Sequence, residues 1–132
     1  MKWVEGASIS PLTKPAITPE QLRAYADASL DKNPIHLDDK FAKEAGFPSV
    51  IAHGMLSMAM LGDLVLYNFP AESYHLVNMS TRFRKVTFPG DIPHCLGKIR
   101  KVDPDGSLTV SIWIETQKGD VTTEGEVLVR PR

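Results

Sequence analysis

GMLSMAMLGDLVLY, residues 54–67, decides how this chain folds. Its apolar side chains run almost all the way round a helical wheel, the pattern of a helix enclosed by protein on most sides. At ~1.5 Å per residue it reaches roughly 21 Å, too short for a membrane span. The wider apolar stretch, residues 50–69, is interrupted by His53 and Asp63 and reads as a core element. Something else in the chain must wrap it.

The second half supplies the wrapper. In LTVSIWIE, residues 108–115, Leu108, Val110, Ile112 and Ile114 alternate with Thr109, Ser111, Trp113 and Glu115, the period of a strand with one buried face. Asp103-Pro104-Asp105-Gly106 turns into it from a strand over residues 95–102, and Lys118-Gly119 turns out of it into a last strand over 121–130. A further strand is predicted over 74–86, ended by Phe88-Pro89-Gly90-Asp91. Sequential strands joined by short turns make an antiparallel sheet. A buried helix inside a curled antiparallel sheet is the α+β hot-dog fold.

Working outward, Thr18, Pro19 and Gln21 announce a first helix with Leu22, Tyr25 and Ala26 as its apolar stripe. It breaks into SLDKNPIH, residues 29–36, because a residue before proline disfavours the helical region. A short second helix is predicted from about Asp38, with Phe41, Ala42 and Ala45 on one side and Gly46 as its stop.

Fifteen Lys and Arg against sixteen Asp and Glu leave a formal net charge of −1 over 132 residues, so no bulk field grips nucleic acid or an anionic membrane. No repeat or linker divides the chain, and one domain over residues 1–132 is expected. Cys95, the single cysteine, excludes an internal disulfide and a cysteine-based structural zinc site, and it fits a reducing, cytoplasmic compartment. MKWVEGASIS lacks the apolar run of a signal peptide.

The chemistry lies where the first helix breaks. Asp31, Asn33 and His36 share a proline-containing loop, and His53-Gly54-Met55 opens the enclosed helix. A carboxylate and an imidazole five positions apart converge on one water if the loop curls. A helix N-terminus opposite them stabilises negative charge. Adding water to a carbon–carbon double bond beside a carbonyl, or removing it, needs these parts: proton acceptor, proton donor and donors for the enolate-like charge.

YADASLDKNPIHLDD, followed by FAKEAGFPSVIAHGMLSMAML, resembles the MaoC-like dehydratases, which include (R)-specific enoyl-CoA hydratases and (3R)-hydroxyacyl thioester dehydratases; the likeness covers about residues 18–102 and centres on NPIH and IAHGM. The resemblance implies a hot-dog hydro-lyase that interconverts 2-enoyl and (3R)-hydroxyacyl thioesters of coenzyme A or acyl carrier protein. It implies a homodimer or a pairing with a second subunit, and no cofactor. On this chain it assigns Asp31 and His36 to holding the water and moving protons, Asn33 to orienting them, and the Gly54 amide to polarising the thioester carbonyl. Leu30, His53, Met55 and Met58 become candidates for the substrate pocket.

Two positions depart from the family pattern: Leu30 stands where glycine usually precedes the aspartate, and Lys85 stands where a proline is common. Leu30 is therefore expected to reshape the loop or narrow the pocket.

Other features take plainer readings. His53 is expected to cap or brace the enclosed helix, and Met55, Met58 and Met60 to fill the core or wall an acyl chain. His75 and His94 have no ligand-like spacing, so no metal is expected. Arg82, Arg84, Lys98 and Arg100 repeat at strand spacing as a solvated face or a cradle for coenzyme A phosphates. Ser57 lacks a local acid–base partner, and Cys95 reads as a small buried hydrophobe. A hot-dog thioesterase would need Asp63 as its carboxylate, but nine positions place it roughly 14 Å along the axis from Gly54. A non-catalytic thioester-binding partner subunit is the remaining alternative.

Overall fold

Every apolar position of the 108–115 segment that the alternation assigns inward is buried, and each residue between is half-buried. The computed structural model describes residues 2–132; Met1, the first residue of the expected domain, lies outside them. The elements in chain order are β1 (Leu12–Thr13), α1 (Pro19–Ser29), a 3-10 turn (Pro34–His36), α2 (Asp39–Glu44), α3 (Gly54–Asn68), β2 (Tyr74–Phe83), β3 (His94–Val102), β4 (Leu108–Glu115) and β5 (Val121–Pro131). One antiparallel sheet runs in the order β1-β3-β4-β5-β2. β2 is a ten-residue edge strand, paired only with β5.

The sheet's inner face packs on α3. Ile99 from β3, Val110, Ile112 and Ile114 from β4, and Val127 and Val129 from β5 share one core with Leu56, Met60, Leu61, Leu64 and Val65 of α3. Burying each large aliphatic side chain contributes roughly 1.5–3 kcal/mol, so these contacts fix where α3 begins. No described helix is long and apolar enough to cross a membrane. This is the hot-dog architecture.

Caps set the other helices. The Gln21 amide donates to Thr18 Oγ1 at 3.1 Å, and the Lys40 and Phe41 amides donate to Asp38 Oδ1 at 2.9 and 3.3 Å; such caps stabilise a helix by ~1 kcal/mol.

Three local expectations are corrected. The strand predicted to Val86 stops at Phe83, because the Arg84 and Lys85 amides both turn onto the Thr122 carbonyl. Only Ala42 of the α2 stripe is buried, since six residues present a single position to the core; Phe41 is 43% exposed. Of the three methionines, only Met60 is buried, whereas Met55 is 57% exposed.

Candidate active site

The loop after α1 is shaped by short local bonds. α1 ends at Leu30, whose φ of 65° and ψ of 11° lie in the left-handed region that favours glycine. A glycine-like backbone is therefore achieved with a leucine, whose side chain is 79% exposed and lies outside the pocket described below. Asp31 Oδ1 accepts from the Asn33 amide at 3.4 Å, and Asn33 Oδ1 caps the 3-10 turn by accepting from the Ile35 amide at 3.0 Å. Asn33 thus orients Asp31 through its backbone, while its side chain shapes the turn that carries His36.

That turn is tied to the segment leading into α3. The Ile51 amide donates to the Ile35 carbonyl at 3.1 Å, and His36 Nδ1 lies 2.7 Å from the Ile51 carbonyl. A carbonyl only accepts, so Nδ1 carries the proton and the neutral ring presents a lone pair at Nε2. His36 Nε2 stands 3.8 Å from Asp31 Oδ2, with the imidazole largely covered and the carboxylate half exposed. This is too long for a hydrogen bond and short enough for one water to donate to both.

His53 occupies the N-cap position of α3, but its side chain makes no capping bond. Its ring stacks on His36 instead, with centroids 3.8 Å apart and planes at 23°, and Nε2 donates to the Asp31 carbonyl at 3.0 Å. The expected brace is on the loop, not the helix. Burial holds the His53 pKa below its ordinary value; the Asp31 carbonyl bond opposes this and the neighbouring His36 reinforces it.

Gly54 begins α3, where the first amides have no carbonyl partner within the helix. A pocket of ≈ 310 Å³ opens there between His36, Ala52, Gly54, Phe83, Arg84 and Thr87. A Cβ on Gly54 would stand 3.0–3.2 Å from the Phe83 ring, so glycine lets the aromatic wall approach the helix end. Met55, Met58 and His53, expected as pocket residues, do not line it, and Asp31 reaches it only through His36, 3.8 Å away. Phe83 and Thr87 also line it; only folding brings them beside NPIH and HGM, which no local spacing encodes, whereas Ser57 lies one turn after Gly54 in α3.

Asp31, His36 and His53 bring one potential ligand atom each within 4.8 Å of the others. The two rings stack nearly parallel, however, with planes at 23°, a poor arrangement for two in-plane lone pairs to meet at one point ~2.1 Å from both. One nitrogen of each ring is also engaged by a carbonyl. This triad suits a water better than a metal.

A larger hollow of ≈ 620 Å³ lies among Arg82, Arg100, Trp113 and Glu124 on the sheet. Arg84 pairs with Glu124, Lys85 with Asp120 and Arg100 with Glu126, as expected of a solvated face. Chemistry favours the smaller pocket, which holds the imidazole and the helix end. Cys95 is fully buried and its thiol is pushed up to about 11 by that burial, so it is not a nucleophile.

Comparison with known proteins places the chain in a family. The sequence pattern described as "MaoC like domain" matches residues 6–129. The (R)-specific enoyl-CoA hydratase of Aeromonas caviae is 31% identical over 113 residues, covering 83% of each chain. The crystallised (R)-hydratase of A. caviae superposes with a TM-score of 0.87 and 28% identity over 97% of this chain and 96% of the other. The mitochondrial 3-hydroxyacyl-[acyl-carrier-protein] dehydratase of Arabidopsis thaliana is 39% identical over 72 residues, 54% of this chain, and the match spans only 42% of that longer protein. With a match over nearly its full length, this chain belongs to the MaoC-like domain family.

Proposed function

We propose that the chain is a hydro-lyase interconverting 2-enoyl and (3R)-hydroxyacyl thioesters, with coenzyme A or acyl carrier protein as the thiol. The observation that carries this reading is the 3.8 Å gap between His36 Nε2 and Asp31 Oδ2, with His36 lining one pocket together with Gly54 at the N-terminus of α3. In hydration, a water donates one hydrogen to each atom and turns its oxygen lone pair toward the β-carbon. As the C–O bond forms, His36 Nε2 takes a proton from the water and the double-bond electrons move onto the thioester oxygen. The Gly54 amide stabilises that enolate; one such donor is worth ~2.7–4 kcal/mol of barrier. The proton on Nε2 then passes to the α-carbon, so the pair ends as it began. Asp31 steadies the transient imidazolium. Dehydration runs the same steps backward.

The test is loss of enoyl absorbance from crotonyl-CoA and longer enoyl-CoAs. Asp31→Asn keeps an oxygen to accept the Asn33 amide, so the loop and the melting temperature are retained while kcat falls by ~10²-fold or more. His36→Ala loses a similar factor. Parental turnover in both variants would end the assignment.

The open edge of β2, with Leu76 52% and Val77 42% exposed, supports a dimer formed by this chain or with a related subunit. Sedimentation at twice the chain mass, reduced to one by Val77→Lys, is the expected result. A thioesterase is disfavoured, because Asp63 lies nine residues along α3 from Gly54 and is paired with Lys14 at 2.8 Å. A passive partner subunit is disfavoured too, since Leu30 adopts the left-handed conformation and leaves the pair within reach of one water.

A further inference from the structure

We propose that His53 is the positioning residue of this site: one ring sets both members of the pair, holding Asp31 through its backbone carbonyl and His36 through its ring face. The inference rests on the hydratase reading for its kinetic consequence and on geometry for its substance.

Three observations converge. His53 is 2% exposed, and its Nε2 lies 3.0 Å from the carbonyl of Asp31, 22 positions away in sequence. The ring also stacks on His36 at 3.8 Å, and Tyr25 of α1 presses on it edge-on with centroids 4.8 Å apart. Its other nitrogen, Nδ1, is buried with no hydrogen-bond partner. A phenylalanine would fill the same space without leaving a buried lone pair unsatisfied. Keeping an imidazole here makes sense only if the Nε2–H bond matters.

The consequence is a fixed tautomer. Nε2 must carry the proton to donate to a carbonyl, and protonating Nδ1 as well would create a second buried donor with no acceptor. His53 is therefore a neutral plate under His36. Asp31 follows the left-handed Leu30, and among the described residues its half-exposed carboxylate accepts a hydrogen bond only from the Asn33 amide. The His53 bond pins the Asp31 backbone to the residue preceding α3, so the carboxylate, the imidazole and the Gly54 amide share one frame. The other titratable or charged groups around the stack are Asp31, Tyr25, Arg23, Asp39, Arg84 and Lys85.

The experiment compares the parent with His53→Phe, which keeps a ring and loses the donor, and His53→Gln, which keeps a donor and loses the ring. On enoyl-CoA, both are expected to lose on the order of 10- to 100-fold in kcat with KM changed less than about threefold. Both are also expected to move the titration of the His36 imidazole, followed by ¹⁵N NMR. Parental kcat and an unmoved His36 titration in either folded variant overturn the proposal. Should neither variant fold, the parent decides it: its His53 ring should show the Nε2–H neutral tautomer at pH 7, and an Nδ1–H or doubly protonated ring overturns the inference. Should the parent hydrate no enoyl thioester, the functional reading fails, while the tautomer and the His36 titration still judge the role of His53.

Discussion

His36 Nδ1 lies 2.7 Å from the carbonyl of Ile51, and that one contact decides which nitrogen can do chemistry. Because Nδ1–H donates to the carbonyl, the lone pair of the neutral ring is left at Nε2, 3.8 Å from Asp31 Oδ2. The same segment that orients the imidazole continues through His53 into the N-terminus of α3. The proposed acid–base groups and the proposed oxyanion donor are therefore positioned by one stretch of backbone.

Leu30 offers a test of how much strain the loop carries. A non-glycine residue in the left-handed region costs roughly 1–2 kcal/mol, partly offset because glycine loses about 0.5–1 kcal/mol more entropy on folding. Leu30 is 79% exposed, so little burial is lost on its removal. Leu30→Gly should stabilise the protein by about 0.5–1 kcal/mol, seen as a higher urea midpoint with an unchanged slope. Turnover should stay within about threefold of the parent, since the loop already has the glycine geometry. A destabilised Leu30→Gly variant would contradict this account of the backbone.

Gly54 tests the helix end. Gly54 is the first residue of α3, where the interior helix preference for alanine acts only weakly, so Gly54→Ala should change the melting temperature little. Its methyl group would nonetheless meet the Phe83 ring at 3.0–3.2 Å and crowd the pocket. A fall in kcat/KM of about tenfold is expected, and the same change in a Phe83→Ala background should cost less. Equal losses in the two backgrounds would show that the Phe83 contact is not the cause.

The pH dependence of stability follows from His53. Burial lowers its folded pKa below 6.5, so in the window just below 6.5 the unfolded chain binds a proton that the folded one refuses. Stability contributed by this residue is complete above that window and declines as pH falls through it, by at most about 1.4 kcal/mol per pH unit. Urea midpoints between pH 7.5 and 5.5 should therefore drop more steeply in the parent than in His53→Phe. Parallel slopes would mean that His53 takes up its proton as readily in the folded chain as in the unfolded one.

Local chemistry in the chain made much of this legible. The enclosed helix, the alternation in β4, the Thr18 cap and the Asp103–Gly106 turn depend on residues a few positions apart, and all lie where the spacing places them. NPIH and IAHGM were enough to name the family, and they brought Asp31 and His36 forward as candidates. The fine placement was not legible: Phe41 and Met55 are apolar yet exposed, and Phe83 enters the pocket because the chain turns away just after it.

By itself, then, the sequence determined the hot-dog fold, the loop that carries Asp31 and His36, and the helix end that faces them. Tertiary structure alone decided the tautomer of His36, the post of His53 and the left-handed turn at Leu30. The reason is physical. Periodicity and caps report interactions within a turn or two of backbone, whereas these assignments rest on hydrogen bonds that close over 15 and 22 residues, and on a loop whose path is fixed only once α3 is seated in the sheet.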